Sequence, residues 1–272
     1  MNIAIITGAS SGMGKEFVLQ LENHFNVDEV WVIARRKEIL DSLALHLVKT
    51  KVRSFPLDLT LESSYEFLQK ALIEAKPHIN LLVNACGIGY FGKYENISLQ
   101  NDLKTVDLNI KSYLAITKIC LPFMSKGDYI VNVGSLGAYQ PVPYETVYCA
   151  SKAFILSYSR AIYAELKPYG IRVMSVNPGW VLTEFFNNSF KTNDDHAVQY
   201  FNKLYLPEDV VKKAYHDLLK TKKMESALGL GVRNQIRLVK FMPTRFVMNT
   251  WIKQNKKAKN FAEVEDNINK KN

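Results

Sequence analysis

The stretch Thr7-Gly8-Ala9-Ser10-Ser11-Gly12-Met13-Gly14 decides the fold, because it stands between a strand pattern and a helix pattern. The apolar run from Asn2 to Ile6 precedes it and an amphipathic segment follows it. Glycines allow a ligand to approach the backbone closely, and the first turn of a helix presents free N–H groups to an anion. Glycine-rich turns also occur for purely structural reasons, but the position after a first strand favours a dinucleotide-binding turn.

Apolar runs of strand length alternate with helix-length amphipathic stretches along most of the chain. We predict strands at Asn2–Thr7, Glu29–Ala34, Val52–Leu57, Asn80–Asn84, Asp128–Gly134 and Arg172–Asn177. We predict helices at Gly12–Asn23, Lys37–Lys49, Leu61–Ala75, Leu99–Met124, Glu145–Pro168, Pro207–Leu219, Gly231–Phe241 and Thr244–Lys259. This alternation predicts an α/β fold with a doubly wound, Rossmann-like parallel sheet and a C-terminal helical extension.

The composition is that of a globular protein, since 47% of the 272 residues are apolar and 22% are charged. These values exclude collagen-like, low-complexity and wholly disordered chains. The three cysteines are widely spaced and lack CxxC pairing, so we expect neither a disulfide framework nor a metal site, and a cytoplasmic location. The first apolar run is too short for a signal peptide, and prolines and glycines interrupt the longest uncharged stretch. Export and membrane-spanning segments are therefore not expected.

The end of the second predicted strand, Ile33-Ala34-Arg35-Arg36-Lys37, indicates the cofactor. An acidic side chain at this place would accept hydrogen bonds from the adenosine ribose of NAD. Arg35 and Arg36 instead offer guanidinium groups to a 2′-phosphate, which favours NADP (NADPH) over NAD. The alternative is that these charges are solvated at the start of a helix.

Ser135, Tyr148 and Lys152 form a candidate catalytic set, spread over a strand end and a helix. Tyr148 and Lys152 are four residues apart, so a helix places the phenol and the ammonium on one face. An ammonium group beside a phenol lowers the phenol's pKa toward the working pH, as a general acid or base requires. A tyrosine and a lysine at this spacing are, taken alone, more often surface residues.

The chain resembles a single-domain short-chain dehydrogenase/reductase from Met1 to about Leu219. The motifs follow the family's order: Gly8, Gly12 and Gly14, Asp58-Leu59, Asn84 to Gly87, Asn109, Ser135, Tyr148 with Lys152, Asn177-Pro178-Gly179 and Thr183. The resemblance implies that Tyr148 transfers the proton and Ser135 binds the substrate oxygen. It also implies that Lys152 holds the nicotinamide ribose and that Asn109 fixes a water molecule.

The resemblance and the local patterns together give a set of expected cofactor-binding residues. They are Gly8, Ser10, Ser11, Gly12, Met13, Gly14, Arg35, Arg36, Asp58, Leu59, Asn84, Ala85, Gly87, Tyr148, Lys152, Pro178, Gly179, Val181 and Thr183. One departure is that the family's Asn-Asn-Ala-Gly reads Asn84-Ala85-Cys86-Gly87 here. The amide lost at Ala85 puts some hydrogen bonding around the central sheet in doubt, and Cys86 is interpreted as a small apolar filler.

Apolar and aromatic residues flank the predicted catalytic strand ends and suggest the substrate. The candidate pocket residues are Leu136, Tyr139, Val142, Tyr144, Trp180 and Phe185, each of which could equally belong to the core. Such a lining suits a hydrophobic ketone, aldehyde or alcohol. The segment 183–206 is expected to be either a mobile lid or an ordinary surface loop.

Basic charge is concentrated at the C-terminal end, where residues 226–272 hold ten Lys and Arg against three acidic residues. We divide the chain into a dinucleotide-binding and catalytic domain, residues 1–225, and a basic helical extension with a polar tail, residues 226–272. Val247, Met248, Trp251 and Ile252 form an apolar stripe that either caps the pocket or a partner subunit, or lies in a membrane surface. We favour the first, and without a nucleic-acid-binding motif we expect no nucleic-acid partner.

These patterns predict an NADP-dependent oxidoreductase that interconverts a carbonyl and an alcohol on a hydrophobic small molecule. The alternative is a catalytically silent NADP-binding protein with a regulatory or tethering role. Two long apolar helices, Leu99–Met124 and Glu145–Pro168, and their counterparts in the resembling family predict a homodimer or homotetramer.

Overall fold

The computed structural model describes residues 1–190, 192 and 197–258, and in this part of the chain seven strands form one parallel sheet. The strands are β1 (Asn2–Thr7), β2 (Glu29–Ala34), β3 (Lys51–Pro56), β4 (His78–Asn84), β5 (Tyr129–Val133), β6 (Arg172–Val176) and β9 (Glu225–Ser226). Their order across the sheet is β3-β2-β1-β4-β5-β6-β9. A separate parallel pair consists of β7 (Trp180–Val181) and β8 (Leu204–Tyr205). The predicted doubly wound α/β fold is confirmed.

Most of the helices lie between successive strands, and the last two follow β9. The helices are α1 (Gly12–Leu19), α2 (Lys37–Ser42), α3 (Glu62–Ala75), α4 (Leu99–Val106), α5 (Ser112–Cys120), α6 (Thr146–Leu166), α7 (Phe185–Ser189), α8 (Pro207–Lys220), α9 (Leu230–Val239) and α10 (Thr244–Lys257). Alternate residues of β1 enter different cores: Ala4 and Ile6 pack in one, Ile3 and Ile5 in the other. Both faces of the sheet are therefore buried, which explains why the first strand is an uninterrupted apolar run.

The strand order reverses at β1, which lies between β2 and β4. In open parallel sheets the crevice at such a reversal is where ligands bind. Here Thr7, the last residue of β1, ties the two neighbouring strand ends together, since its Oγ1 accepts hydrogen bonds from the backbone N–H groups of Ala85 (3.0 Å) and Cys86 (3.3 Å). The fold thus brings the glycine-rich turn next to the chain segment that follows β4.

Strand β9 was not predicted, because two residues carry no alternating pattern. It pairs with β6 through Ser175 and Glu225 and through Val176 and Ser226. The predicted division of the chain between residues 225 and 226 falls inside this strand.

The predicted helix Leu99–Met124 is interrupted by a π-helical turn, Asp107–Lys111. Asn109 lies in this turn and is fully buried, with its side chain bonded to backbone groups of the loop after β4. π-Turns inside helices are frequent at functional sites, where the extra residue redirects a side chain. Helices α1 and α2 also end earlier than predicted, because short 3-10 turns follow each of them, at Leu21–Asn23 and Leu43–Leu45.

Hydropathy along the helices bears on membrane insertion. Over residues 1–190, 192 and 197–258, none of the helices combines the length and the apolar character needed to span a bilayer.

Candidate active site

At two positions of the glycine-rich turn, the surrounding backbone leaves no space for a side chain. Gly8 has φ +67°, and a Cβ there would lie 2.8 Å from the Ala85 carbonyl group. A Cβ on Gly14 would collide with the Gly8 carbonyl oxygen. At the start of α1, the side chain of Ser11 makes no capping hydrogen bond. The first N–H groups of α1 are therefore available to an anionic ligand, as the sequence predicts.

A cavity of about 670 Å³ extends over the carboxyl end of the sheet. The predicted cofactor-binding residues in its wall are Gly8, Ser10, Ser11, Gly12, Met13, Arg35, Arg36, Asp58, Leu59, Ala85, Gly87, Tyr148, Lys152, Pro178, Gly179, Val181 and Thr183. The catalytic candidate Ser135 and the pocket candidates Leu136, Val142, Trp180 and Phe185 line the same cavity. The fold thus brings most of the predicted site residues to one space.

Arg36 forms a bridge across this cavity. Its guanidinium donates to Ser10 Oγ (3.1 Å) on the glycine-rich turn and to Glu184 Oε2 (2.8 Å) just before α7. The side chains of Arg36 and Glu184 are 43% and 39% exposed, so the ion pair contributes at most about 1 kcal/mol. Arg36 therefore lies beside the glycine-rich turn. An anionic ligand bound there would compete with the Glu184 carboxylate for the guanidinium group.

Asp58, beside the second strand end, is held as a carboxylate. Burial by itself would raise its pKa, but hydrogen bonds from the N–H and hydroxyl groups of Thr60 outweigh burial and lower the pKa. The charge of Arg35 lowers it further. The cavity wall thus holds an ionised acceptor close to a guanidinium group.

Tyr148 and Lys152 meet beside Ser135 in the cavity wall. Burial lowers the pKa of Lys152 to about 8, and its Nζ donates to the Val133 carbonyl at 2.9 Å. Burial raises the pKa of Tyr148, and the hydrogen bond with Ser135 opposes that rise. The predicted depression of the Tyr148 pKa by Lys152 is therefore not found here: burial raises this pKa, and the group that opposes the rise is Ser135. Tyr148 is a neutral phenol at pH 7.

Asn109 lies behind this wall and fixes the backbone under it. Its Oδ1 accepts from the Ile88 N–H (2.9 Å), and its Nδ2 donates to the Ile88 carbonyl (2.8 Å) and to Ser151 Oγ (2.9 Å). A Cβ on Gly87 would lie 3.3 Å from Asn109 Oδ1 and 3.4 Å from Lys152 Nζ. Asn109 therefore connects the loop after β4 with helix α6 close to Lys152.

Two predicted cofactor-binding residues lie outside the cavity wall. Gly14 packs against the turn itself, and Asn84 is buried inside the sheet. The Asn84 amide donates to Asn132 Oδ1 (2.9 Å) and Thr117 Oγ1 (3.1 Å). The sheet is therefore cross-linked by other side chains at the level where Ala85 lacks an amide.

Tyr139 and Tyr144 do not line the cavity, contrary to the prediction. The Tyr139 hydroxyl donates to Glu225 and accepts from the Asn177 amide, which turns the ring toward β9. Tyr144 has φ +71° and packs in an aromatic cluster behind the pocket. The positions of both rings depend on contacts with residues distant in sequence, which the local sequence does not reveal.

The described part of the segment 183–206 is anchored by a mostly aromatic cluster. Phe186, Val198 and Phe201 of this segment are buried with Phe91, and Tyr148 and Trp180 pack against them. Phe185 and Phe186 also line the cavity. The described part of this segment is thus a wall of the site, with α7 as a short helix that was not predicted.

The C-terminal helices complete the cavity. Apolar residues of α9, α10 and the turn between them line it, namely Leu238, Val239, Met242, Phe246, Val247 and Trp251. Trp251 Nε1 donates to the Pro143 carbonyl at 2.9 Å, and its ring stacks on Trp180 at 6.5 Å between centroids. Val247 and Trp251 of the predicted apolar stripe thus cap the pocket, whereas Met248 and Ile252 do not line it. The predicted polar tail, residues 261–272, lies outside the described residues.

The polar side chains of the wall that sequence reasoning missed include Tyr90, Gln140 and Glu145. Burial raises the pKa of Tyr90, and the charge of Arg35 opposes this. Gln140 and Glu145 each carry a buried oxygen atom without a hydrogen-bond partner among the described residues. Gln140 and Glu145 stand in a turn rich in Pro and Tyr. Nothing in that local sequence indicates that they face a ligand-sized cavity.

The family model for short chain dehydrogenases matches residues 2–194. The chain belongs to the short-chain dehydrogenase family. It is therefore an oxidoreductase of that family, and family members bind a nicotinamide cofactor and act on small-molecule carbonyl or alcohol substrates.

Among its relatives, this short-chain dehydrogenase is 30% identical over 269 residues to YusZ, an uncharacterized oxidoreductase of Bacillus subtilis (strain 168), with 92% of this chain and 95% of that protein covered. It is 31% identical over 268 residues to a very-long-chain 3-oxoacyl-CoA reductase of Anas platyrhynchos, with 94% and 80% covered. A short-chain dehydrogenase from Sphingobium yanoikuyae in complex with NADPH has a TM-score of 0.73 at 22% identity, with 92% and 96% covered. This last likeness shows the shared fold.

The residues present fit a dinucleotide. The glycine cradle, the uncapped start of α1 and the Asp58 carboxylate all face one cavity of sufficient size. Within residues 1–190, 192 and 197–258, no group of three or more His, Cys, Asp or Glu residues could hold a metal ion.

Proposed function

We propose that this protein is an NADP(H)-dependent reductase or dehydrogenase of a hydrophobic carbonyl or alcohol. The observation that carries the proposal is a single cavity whose wall contains Arg36 and the glycine turn, the pair Tyr148 and Lys152, and the apolar face of α10. Phosphate-binding, proton-transferring and apolar groups thus share one space. A catalytically silent NADP-binding protein would not need the proton-transferring pair Tyr148 and Lys152.

Arg35 and Arg36 would bind the 2′-phosphate of NADP(H), and the N–H groups at the start of α1 the pyrophosphate. Ser10 and Ser11 would add hydroxyl contacts. Asp58 would accept from the adenine ring, and Thr183 and Val181 would hold the carboxamide. When bound, NADPH supplies the hydride that reduces the carbonyl carbon.

Tyr148 and Ser135 would bind the carbonyl oxygen of the substrate, and the Tyr148 hydroxyl would donate the proton to it. The raised pKa of Tyr148 supports this direction, because the phenol stays protonated at pH 7 and can act as an acid. The Lys152 ammonium donates to the Val133 carbonyl, and it would bind the ribose hydroxyls and resupply the proton. Asn109 would keep the loop after β4 and α6 in register and fix a water molecule for this resupply.

The substrate would be an apolar ketone, aldehyde or alcohol. Trp180, Phe185, Leu238, Val247 and Trp251 give the cavity an apolar wall beside the reacting groups. The name of the relative from Anas platyrhynchos, a 3-oxoacyl-CoA reductase, supports a ketone carried on an apolar chain. The reaction can be assayed both as carbonyl reduction and as alcohol oxidation.

We further propose a homodimer or homotetramer in a reducing cytoplasm. Large apolar side chains of α4 and α6, Leu99, Leu103, Val106 and Phe154, are 36–73% exposed, which supports association through these helices. The three cysteines are free and buried, which is consistent with a reducing compartment. Sedimentation at micromolar concentration should show an oligomer, and a monomer would contradict the assembly.

The test of the function uses the purified full chain with NADPH or NADH and a series of ketones and aldehydes of increasing chain length. We expect NADPH oxidation matched mole for mole by the alcohol product, with kcat/KM rising with chain length. The reverse reaction is measured with the corresponding alcohols and NADP⁺. Cofactor binding without turnover in either direction would refute the proposal.

A further inference from the structure

Glu145 is a buried acid that the reaction described above does not use. It is 3% exposed, stands at the start of α6 and lines the cavity. An acidic side chain at a helix start usually accepts a hydrogen bond from a free N–H group there. The Glu145 side chain makes no such capping bond. Helix capping therefore does not account for its position.

The hydrogen bonds of Glu145 leave one oxygen atom without a partner. Its Oε2 accepts from the Cys149 thiol at 3.7 Å. Its Oε1 has no hydrogen-bond partner among the described residues. In the same part of the chain, no basic side chain forms an ion pair with it. A buried polar atom left unpaired is costly, so its presence in a cavity wall points to a ligand.

The state of this carboxyl group determines what the ligand must offer. Burial raises the pKa of Glu145 to about 8, so the group is a neutral acid at pH 7. Since Oε2 is already engaged by the Cys149 thiol, we assign the acid proton to Oε1, the oxygen atom without a partner. Oε1–H is therefore a hydrogen-bond donor that requires an acceptor.

Glu145 lies close to the reacting groups. It stands directly before α6 and precedes Tyr148 by three residues, a separation of about 4.5 Å along the helix axis. Once ionised, Glu145 adds to the raised pKa of Tyr148. Gly137 separates its partner Cys149 from Ser135: a Cβ there would lie 2.6 Å from Cys149 Sγ and 3.5 Å from Ser135 Oγ. An acceptor bound by Glu145 would thus belong to the same molecule as the reacting carbonyl.

We propose that Glu145 binds a second carbonyl oxygen of the substrate, so that the enzyme selects keto esters, keto thioesters or keto amides over simple ketones. This inference rests on the proposed function and names its substrate class. Gln140, whose Oε1 also lacks a partner, lines the same cavity, and its amide can turn its NH₂ group toward the same acceptor.

The test compares substrates that differ only in the second carbonyl oxygen. The pairs are methyl 3-oxooctanoate with 1-methoxyoctan-3-one, and methyl 4-oxooctanoate with 1-methoxyoctan-4-one. We expect kcat/KM to favour the keto ester by at least about tenfold in one pair, since an unpaired buried donor penalises the ketone that lacks the acceptor. Glu145→Leu should bring that ratio to within about threefold of one, and Glu145→Gln, which keeps a donor, should retain most of it.

The control and the pH profile separate a specific contact from general damage. Glu165→Leu alters an exposed acid at the far end of α6 and should leave the ratio as in the parent. In the parent the ratio should fall as pH rises through about 8, because ionised Glu145 repels a carbonyl oxygen, whereas Glu145→Gln should show no such fall. Cys149, Tyr148 and Lys152 titrate beside Glu145, and their effects on the chemistry cancel in the ratio of two substrates.

The outcomes distinguish this inference from the proposed function. Reduction of ketones and keto esters at equal kcat/KM, or a ratio that Glu145→Leu leaves unchanged, would overturn the inference and leave the proposed function standing. A chain that reduces neither kind of compound would overturn both.

Discussion

Arg36 and Glu184 form an ion pair of 2.8 Å that joins the end of β2 to the start of α7 across the candidate cofactor cavity. The same guanidinium group donates to Ser10 on the glycine-rich turn. Three chain segments that are far apart in sequence thus meet at one side chain. A 2′-phosphate bound there would replace Glu184 as the anionic partner of Arg36, so the two anions would compete.

Glu184→Gln should tighten NADPH binding by about threefold to tenfold, because it removes a carboxylate that competes with the phosphate for Arg36. The size follows from an exposed ion pair of at most about 1 kcal/mol plus the relief of like-charge repulsion. NADH affinity should stay the same. Fluorescence titration of both cofactors measures the effect, with Glu66→Gln on the exposed face of α3 as the control. Weaker NADPH binding in Glu184→Gln would show that the ion pair shapes the site instead.

The parent enzyme should prefer NADPH over NADH by at least about tenfold in kcat/KM, since charge-assisted hydrogen bonds to phosphate contribute about 1.5 to 3 kcal/mol each. Arg35→Asp combined with Arg36→Ala should shrink or reverse the ratio, mainly by weakening NADPH. Lys37→Ala is the matched control, because Lys37 already pairs with Asp41 at 2.5 Å. Equal use of both cofactors by the parent enzyme would refute the role of the arginines.

Tyr148→Phe should lower kcat by about 10² to 10⁴ while cofactor binding persists, because it removes the proton donor and keeps the ring. Tyr144→Phe is the control, since that ring packs behind the pocket and its hydroxyl lies outside the cavity wall. The measurement is turnover with a saturating ketone, with cofactor affinity measured separately. Turnover of the Tyr148 variant within threefold of the parent would contradict the mechanism.

Truncation after Gly229 should lower kcat/KM for long-chain substrates by at least about tenfold and leave cofactor affinity nearly unchanged. It removes the apolar wall formed by α9 and α10, but not the glycine turn. The full chain should not bind vesicles of phosphatidylglycerol, because Val247 and Trp251 of the apolar stripe face the cavity. Phe241, 89% exposed between these helices, provides the check: vesicle binding that Phe241→Ala abolishes would favour the membrane interpretation.

Glu145→Gln should change how stability depends on pH. The carboxyl of Glu145 titrates near 4.5 in the unfolded chain and near 8 in the fold, so between these values the folded state binds more protons. Its contribution to the free energy of unfolding is therefore present at low pH and is lost as pH rises through about 8. The parent's Tm should fall between pH 5 and pH 8 more than that of Glu145→Gln. Parallel pH profiles of the two proteins would show that Glu145 is not buried as an acid.

Most of the candidate site could be predicted because its signals are local. The glycine turn requires a positive φ at Gly8 and contact between backbones at Gly14, and these demands are written into residue type and spacing. Tyr148 and Lys152 are four apart on a helix whose length the apolar pattern predicts. Where the prediction was wrong, a distant partner decided: Glu225 and Asn177 turn Tyr139 away from the cavity.

The sequence by itself determined the six longer strands of the central sheet, the main helices between them and the sheet edge at which the motifs meet, because apolar periodicity and chain direction leave few alternatives for a parallel sheet. Only the tertiary structure decided which polar groups are buried without partners, how far burial moves the pKa values of Lys152, Tyr148 and Glu145, and that helices α9 and α10 complete the cavity. Burial and electrostatic environment depend on residues brought together from distant parts of the chain, and no local pattern records those contacts.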